Sequence, residues 1–520
     1  MTATIERPPF SEHLDYFAEH KGDDAALVFH DRVLTWRDLR TRTRRNAAGQ
    51  KAEGLTAGAR SAYYGKNHTA CMETIYAAGM SGAVCAVVNW RLSPEEIHYA
   101  LNDADAEVVF VAAEFVPVIE QIKDRLPKLR KFIVVDGEGE DSYESWLSRQ
   151  QPLAEPTPAP ADEGWFQLYT SGTTGFPKGA VLTREGVGVH ADSVGNYVRF
   201  EHDKVAMVAM PLYHVGGLTW ALTALSYGLK NILIDVPMPA ALLDDLTKYE
   251  VTHSFFVPAL FQAFQMVPGL TERRFPTLEY LLYGASPMPL PLLLKSLEVF
   301  PCKLTQVYGM TEMSGVVTIL DDESHRDQNV RHRLLSAGRA IDSCAVKVVD
   351  PSTLEPVPAG TLGEVMVKSS QRMHSYYNRA EATEKAFEGE WYRSGDAGKL
   401  DEDGYLYISD RIKDMIISGG ENIYPAEIER VLVQHPAVRE VAVIGVPSDK
   451  WVETPKAVVA LADETATDED LLDYCRARLA HYKCPTSFDR VEALPRNATG
   501  KVLKRELRAP YWEGRDRTIA

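Results

Sequence analysis

Between Ala26 and Ala113 short β-branched runs alternate with stretches whose apolar positions recur at helical spacing, the pattern of successive βαβ units. Strands are expected over Ser61–Tyr64, Ala83–Val88 and Glu107–Ala112, with one helix ending at Gly82 and a second starting at Ser93. Ser93-Pro94-Glu95-Glu96 has the form of a capping box with proline at the first helical position, and Ile97, Ala100 and Leu101 fall on one face of that helix.

A Pro- and Ala-rich crossover from Gln151 to Ala161 precedes an apolar strand over Trp165–Tyr169, and the alternation resumes through Asn231–Ile234, Ser254–Val257 and Leu281–Tyr283. Ala345–Asp350 and Gly363–Val367 lie around Pro-rich turns and read as antiparallel strands of a small β-lobe. After the turn Asp403-Gly404 and a strand over Tyr405–Ile408 the chain becomes abruptly charged. Beyond that point helices over Glu427–Leu432 and Asp468–Leu479 alternate with strands over Val441–Val446 and Ala457–Ala462. The expected fold is α/β: a large N-terminal domain of βαβ layers with a small β-lobe, residues 1–409, and a small mobile C-terminal α+β domain, residues 410–520.

A chain of 520 residues exceeds one core and has ample material to bury a large site. Its net charge of −17 repels nucleic acid. The densest basic cluster, Arg37 to Arg45, falls on a helix opening Thr35-Trp36-Arg37-Asp38 and reads as a solvated face. Six cysteines without a Cys-x-x-Cys pair and an N-terminus without an apolar signal core suit a reduced, cytoplasmic protein. The most apolar stretch, Ala77 to Trp90, is broken by Gly79, Ser81, Gly82 and Asn89 and falls short of the roughly 20 residues that cross a bilayer, so no integral membrane segment is expected.

The run Tyr169-Thr170-Ser171-Gly172-Thr173-Thr174-Gly175-Phe176-Pro177-Lys178-Gly179 concentrates glycines, hydroxyls and one cation in a single loop. Glycine lets backbone N–H groups turn toward an anion, hydroxyls add rotatable donors, and Lys178 supplies a point charge, which is chemistry for a polyphosphate. Pro177 before the lysine and Gly-Ala after it are wrong for a Walker A loop.

Further motifs follow in order: Pro211-Leu212-Tyr213-His214-Val215-Gly216-Gly217, Tyr283-Gly284-Ala285-Ser286, Tyr308-Gly309-Met310-Thr311-Glu312, Tyr392-Arg393-Ser394-Gly395-Asp396, Asp410-Arg411-Ile412-Lys413-Asp414, and Pro495 to Lys501. With the opening loop this series resembles the adenylate-forming superfamily, which includes acyl-CoA synthetases, adenylation domains of peptide synthetases and firefly luciferase. The resemblance implies an AMP-forming acid–CoA ligase that uses ATP, Mg²⁺ and coenzyme A. A carboxylate attacks the α-phosphate with loss of pyrophosphate, and the CoA sulfur then displaces AMP from the acyl-adenylate.

It also implies the site. Thr170, Ser171, Gly172, Thr173, Thr174, Gly175 and Lys178 would hold phosphates. Gly284, Ala285, Ser286, Gln306, Val307, Tyr308, Gly309 and Met310 would surround the nucleotide, with the Tyr308 ring stacked on adenine. Thr311 would meet the α-phosphate, Glu312 would help hold Mg²⁺, and Asp396 would accept both ribose hydroxyls, a task for an acceptor-only side chain. Arg411 would reach ribose or phosphate oxygens, and Lys501 would bridge carboxylate and α-phosphate. Without the resemblance, Tyr308 reads as a core aromatic, Glu312 and Arg411 as surface charges, and Lys501 as part of a solvated basic tail with Lys504, Arg505 and Arg508.

His214, Val215, Gly216, Gly217, Thr219, Trp220, Tyr283 and Met310 correspond to the acyl pocket, and histidine at position 214 argues against an α-amino acid substrate. A hydrogen-bonded structural role for His214 is the alternative. Ser418, Gly419, Gly420 and Glu421, with Tyr482 and Lys483, correspond to the CoA-facing segment, and Asp410 to the hinge about which the small domain turns. Tyr283 to Met288 looks like the fatty-acyl branch, so a fatty or other hydrophobic acid is expected, with an aryl acid or loading of a carrier protein as alternatives. Apolar helices of the large domain could pair two subunits.

Overall fold

The computed structural model describes residues 7–157, 160–170, 177–411, 414–418, 421–448, 451–463, 465–496 and 502–513, without the side chains of Asp410, Arg411, Glu421 and Asn422. Two mixed sheets make up the large N-terminal domain. The nine-stranded sheet runs Arg339–Ala340, Gly315–Leu320, Lys303–Met310, Tyr280–Gly284, His253–Phe256, Val205–Val208, Lys230–Leu233, Ala25–Phe29, Arg32–Thr35. The seven-stranded sheet runs Ser375–Tyr376, Lys178–Thr183, Gly164–Thr170, Val84–Val88, Arg60–Tyr64, Ala106–Ala112, Lys131–Val135. Their inner strands are parallel and buried on both faces, as in Val84–Val88, where every residue is buried, and so read as unbroken apolar runs.

Between the sheets lie two helices that are apolar nearly all round. In Thr69–Ser81 every residue except Met80 is buried, and Val215–Ser226 is buried from Gly217 onward. A helix without a polar face belongs inside a core, and the largest cluster combines these two helices with side chains of both sheets, among them Leu27, Val208, Leu282, Tyr63, Cys85 and Leu168. Intramolecular packing thus occupies these two apolar helices.

The expected capping boxes are present. Ser93 and Glu96 exchange side-chain and backbone bonds at the start of Pro94–Asp103, which buries Ile97, Ala100 and Leu101, and Thr35 and Asp38 do the same at the start of Trp36–Ala52. The basic stretch on the latter helix differs from its expected role as a solvated face, because it is paired. Arg37 meets Asp23, Arg44 meets Asp15, and Arg42 meets Glu144 and the fully buried Glu73. Glu73 also accepts from the Tyr143 hydroxyl at 2.6 Å, so these charges dock three helices on one another.

Cys344–Val349 and Gly363–Ser369 pair antiparallel, as expected, and extend through Trp391–Leu400, Phe387–Glu388 and Leu406–Arg411 into a five-stranded lobe. Pairing within this lobe continues through Ala397↔Asp410 to Asp396↔Arg411. The smaller C-terminal domain folds helices Pro425–Leu432 and Asp468–Arg476 onto a sheet led by the long hairpin Val438–Ser448 and Val452–Leu461.

Candidate active site

Strands Tyr280–Gly284 and Lys303–Met310 run parallel and deliver Gly284 and Met310 at their C-terminal ends, where open α/β sheets place ligands. Lys303–Met310 then turns back antiparallel into Gly315–Leu320 through the short helix Thr311–Met313. Met310 pairs with Gly315 at the mouth of this hairpin, and a Cβ on Gly309 would come within 1.9 Å of the Gly315 carbonyl oxygen. Glycine at 309 is therefore a condition for the hairpin to close. Gln371 straps its far side, donating to the carbonyls of Met313 (2.8 Å) and Val316 (2.6 Å).

On this frame two pairs of distant residues meet. The Tyr308 hydroxyl donates to Asp396 Oδ2 at 2.6 Å, and Asp396, 6 % exposed, is positioned by Ser394, whose oxygen accepts from the Asp396 N–H at 3.0 Å. The Glu312 carboxylate accepts from the Tyr376 hydroxyl at 2.6 Å, and Lys178 Nζ lies 4.9 Å from the centre of the Tyr376 ring. Ser375–Tyr376 pairs with Lys178–Thr183, so the lysine of the phosphate loop and the carboxylate of the Thr311–Met313 turn share one tyrosine. Tyr376 is absent from the sequence reading. Its only signal is the pair Tyr376-Tyr377, and its role depends on an edge pairing that local periodicity does not reveal.

A third group surrounds His214, the N-cap of Val215–Ser226. Its Nε2 is buried without a hydrogen-bond partner among the described residues. Burial, reinforced by the positive charge of Arg91, holds the ring well below the ordinary imidazole value, to about 4, so it is neutral at neutral pH. Asn67, also unforeseen, sets the approach to this residue. Its amide donates to the carbonyls of Met210 (3.0 Å) and Ile234 (2.8 Å), and its oxygen accepts from Leu212 N–H at 2.8 Å.

Two residues expected in the acyl pocket are placed elsewhere. Tyr283 pairs with Phe256 in the parallel register while its neighbour Leu282 pairs with Phe255. Because successive side chains alternate across a sheet, Tyr283 faces the Phe256, Phe261 and Phe300 core, whereas Phe255 is the residue against Gly216. Its hydroxyl is occupied by His325 Nε2 (2.8 Å) and Gln306 Oε1 (3.2 Å). Trp220 is likewise core, donating its indole N–H to the Met207 carbonyl at 3.0 Å.

In the small domain Ser418 pairs with the Glu421 backbone. Tyr482 is 48 % exposed, but the Lys483 ammonium is bound by both oxygens of Glu427 at 2.8 Å. Two cations of the basic tail are also paired, Lys504 with Glu429 and Arg508 with Asp414, both at 2.9 Å. Ser171, Gly172, Thr173, Thr174, Gly175, Gly419, Gly420 and Lys501 lie outside the described residues, as do the side chains of Asp410, Arg411 and Glu421. The ends of the Lys501 segment are tied by a bridge between Arg496 and Val502 and by Leu503 N–H on the Pro495 carbonyl at 2.8 Å.

Residues 14–377 match the model of the AMP-binding enzyme family, and residues 427–501 that of the AMP-binding enzyme C-terminal domain. The chain belongs to the AMP-binding enzymes. Within this adenylate-forming superfamily it lies in the acyl-CoA synthetase branch. It is 38 % identical over 481 residues to a feruloyl-CoA synthase of Amycolatopsis sp, covering 92 % of this chain and 94 % of that one. It is 34 % identical over 503 residues to the fatty acid–[acyl-carrier-protein] ligase ScoC of Streptomyces coeruleorubidus, covering 96 % and 95 %. Among solved structures, the o-succinylbenzoate CoA synthetase MenE of Bacillus subtilis, in complex with its acyl-adenylate intermediate, superposes with a TM-score of 0.85 at 31 % identity over 95 % of this chain and 97 % of that one. As an AMP-binding enzyme of this branch, the protein is an AMP-forming acid–CoA ligase that uses ATP, Mg²⁺ and CoA. Among the described residues no helix is long and apolar enough to cross a membrane.

Proposed function

We propose that this ligase activates a carboxylic acid with a predominantly apolar body, fatty rather than aryl, in a site between His214 and Met310, and passes the acyl group to CoA. The observation that carries the reading is the convergence of Tyr308 with Asp396, and of Lys178 with Glu312 through Tyr376, at the ends of parallel strands.

In the first half-reaction a carboxylate oxygen attacks the α-phosphorus and the bond to pyrophosphate breaks. Tyr308 stacks on adenine, Asp396 accepts the ribose hydroxyls, and Thr311 and Lys178 bind phosphate oxygens. Arg411 approaches from the strand that pairs with Asp396. Neutral His214 borders the acid without trapping its carboxylate in an ion pair, leaving the oxygen free to attack. The oxygen ligand of Glu312, one atom of which Tyr376 holds, fits a hard cation, and Mg²⁺ bound there would neutralise phosphate charge. Lys501 adds positive charge where it grows between the two reacting anions.

In the second half-reaction the CoA sulfur attacks the acyl carbon and AMP leaves with the bonding pair. The small domain, residues 410–520, turns about Asp410 to exchange Lys501 for the segment Ser418–Glu421, and Tyr482 offers an exposed ring to the pantetheine arm. Lys483, committed to Glu427, acts on the fold of that domain. The six free cysteines, five of them buried, support a reducing, cytoplasmic setting.

The test is acid-dependent release of pyrophosphate across a panel of carboxylic acids, followed by AMP release with CoA or with carrier proteins. Rapid AMP release that requires CoA is expected. Release that requires a carrier protein would favour the second reading, which rests on the likeness to the acyl-carrier-protein ligase and on the commitment of Lys483.

A further inference from the structure

The helix Pro94–Asp103 grips both stems of the phosphate motif. Tyr99 and Asp103 stand one turn apart on one face of it. The Tyr99 hydroxyl donates to the Pro177 carbonyl at 2.9 Å, immediately before Lys178. On the entering strand the Tyr169 hydroxyl is shared between the Ala100 carbonyl (2.8 Å) and Asp103 Oδ2 (3.1 Å). Between these two anchors Thr170 pairs with Lys178 across the antiparallel strands.

Arg379 joins the two anchors. It forms an ion pair with the buried Asp103 carboxylate at 2.5 Å, and the same guanidinium nitrogen lies 3.4 Å from the Tyr99 hydroxyl. A guanidinium can only donate, so the phenol oxygen accepts from Arg379 while the phenol hydrogen goes to Pro177. The Arg379 N–H donates to the Tyr376 carbonyl at 3.1 Å, and the Tyr377 N–H donates to the Gly179 carbonyl at 2.8 Å. Tyr376 is the residue that binds Glu312 and faces Lys178. Two routes therefore lead from this cluster to Lys178, one through Pro177 and one through the strand Ser375–Tyr376.

We propose that Tyr99, Asp103 and Arg379 form a clamp that positions Thr170 and Lys178 for the departure of pyrophosphate. The proposal rests on the reading of Lys178 as a phosphate ligand. A cation that meets charge growing on a leaving phosphate is effective only where its backbone is fixed beforehand, and a misplacement of about 1 Å can cost about 10²-fold in rate. The clamp supplies that fixing from groups that do not themselves meet the substrate. Tyr99 is its most specific member, since Tyr99→Phe removes one hydroxyl and leaves the ring in place. A purely structural cluster would instead weaken the fold and both half-reactions alike.

The test measures each half-reaction in single turnovers of the full chain. Tyr99→Phe should slow acid-dependent pyrophosphate release about three- to tenfold, the loss of one hydrogen bond. Thioester formation from supplied acyl-adenylate and CoA should keep the wild-type rate, and Tm should stay within a few degrees. Arg379→Ala should slow adenylation further, and Arg379→Lys should restore part of the loss. Lys178→Ala completes a double-mutant cycle: if Tyr99 acts through Lys178, adding Tyr99→Phe to Lys178→Ala should cost less than Tyr99→Phe does alone. An unchanged adenylation rate in Tyr99→Phe, an equal slowing of both half-reactions, or full additivity in the cycle overturns the clamp while leaving Lys178 at the phosphates. Undiminished pyrophosphate release by Lys178→Ala overturns the phosphate reading of Lys178 and the clamp together.

Discussion

Asp396 is a buried carboxylate of the large domain that accepts from the Tyr308 phenol, and in the proposed site its oxygens also accept from the ribose hydroxyls. Hydrogen bonds to a charged group are worth about 1.5–3 kcal/mol, so Asp396→Asn should raise KM for ATP roughly tenfold to a hundredfold. Steady-state titration of ATP at saturating acid checks this. In the proposed mechanism Lys501 belongs to the chemical step. Lys501→Ala should slow adenylation by about 10²–10³, equivalent to about 2.7–4 kcal/mol of lost transition-state stabilisation. Thioester formation from supplied acyl-adenylate should survive, and single-turnover assays of each half-reaction separate the outcomes. At this scale short motifs singled out Tyr308 and Asp396, which the fold brings within a hydrogen bond of each other. The sequence was blind to Tyr376 and Asn67, which reach their partners by strand pairing and loop contacts between segments far apart in the chain.

The helix Trp36–Ala52 shows how a polar pattern can mislead about an element. Its arginines look solvated in sequence because a linear pattern cannot show that Glu73, on a wholly buried helix, is waiting for one of them. Removing one member of such a pair leaves a buried charge uncompensated. Arg42→Ala should therefore cost about 3–5 kcal/mol, read as a lower urea midpoint with an unchanged slope. Many boundaries in the large domain were legible to within a residue or two, because capping boxes and glycines end helices by local chemistry: Ser93 opens one and Gly82, in the left-handed conformation, closes another, whereas the C-terminal hairpin strands Val438–Ser448 and Val452–Leu461 start three and five residues before the expected Val441 and Ala457. The face taken by Tyr283 was not legible, since register is decided by the neighbouring strand.

Across the whole molecule, acid should be the weak point. Burial holds His13, His190, His214 and His253 to about 4, whereas in the unfolded chain they titrate near 6.5. Between those values the unfolded chain binds more protons, so stability is fully present above about pH 6.5 and declines as pH falls toward 4. Scanning calorimetry from neutral pH downward should show Tm falling through that window, and a flat Tm would contradict neutral burial of these rings. The division into a large βαβ domain and a smaller α+β domain was legible from alternation. The arrangement of two sheets around shared helices was not, because strand order is set by crossovers that no single segment encodes.

One side chain ties that arrangement to the acid site. Asn67 leaves the seven-stranded sheet and fastens loops at the ends of two strands of the nine-stranded one. Its amide hydrogens are indispensable there, and asparagine is a thermolabile residue. Deamidation would set a carboxylate against the oxygens of Met210 and Ile234, repelling both, so slow chemical ageing at this single position would loosen the seam between the sheets and the histidine approach together.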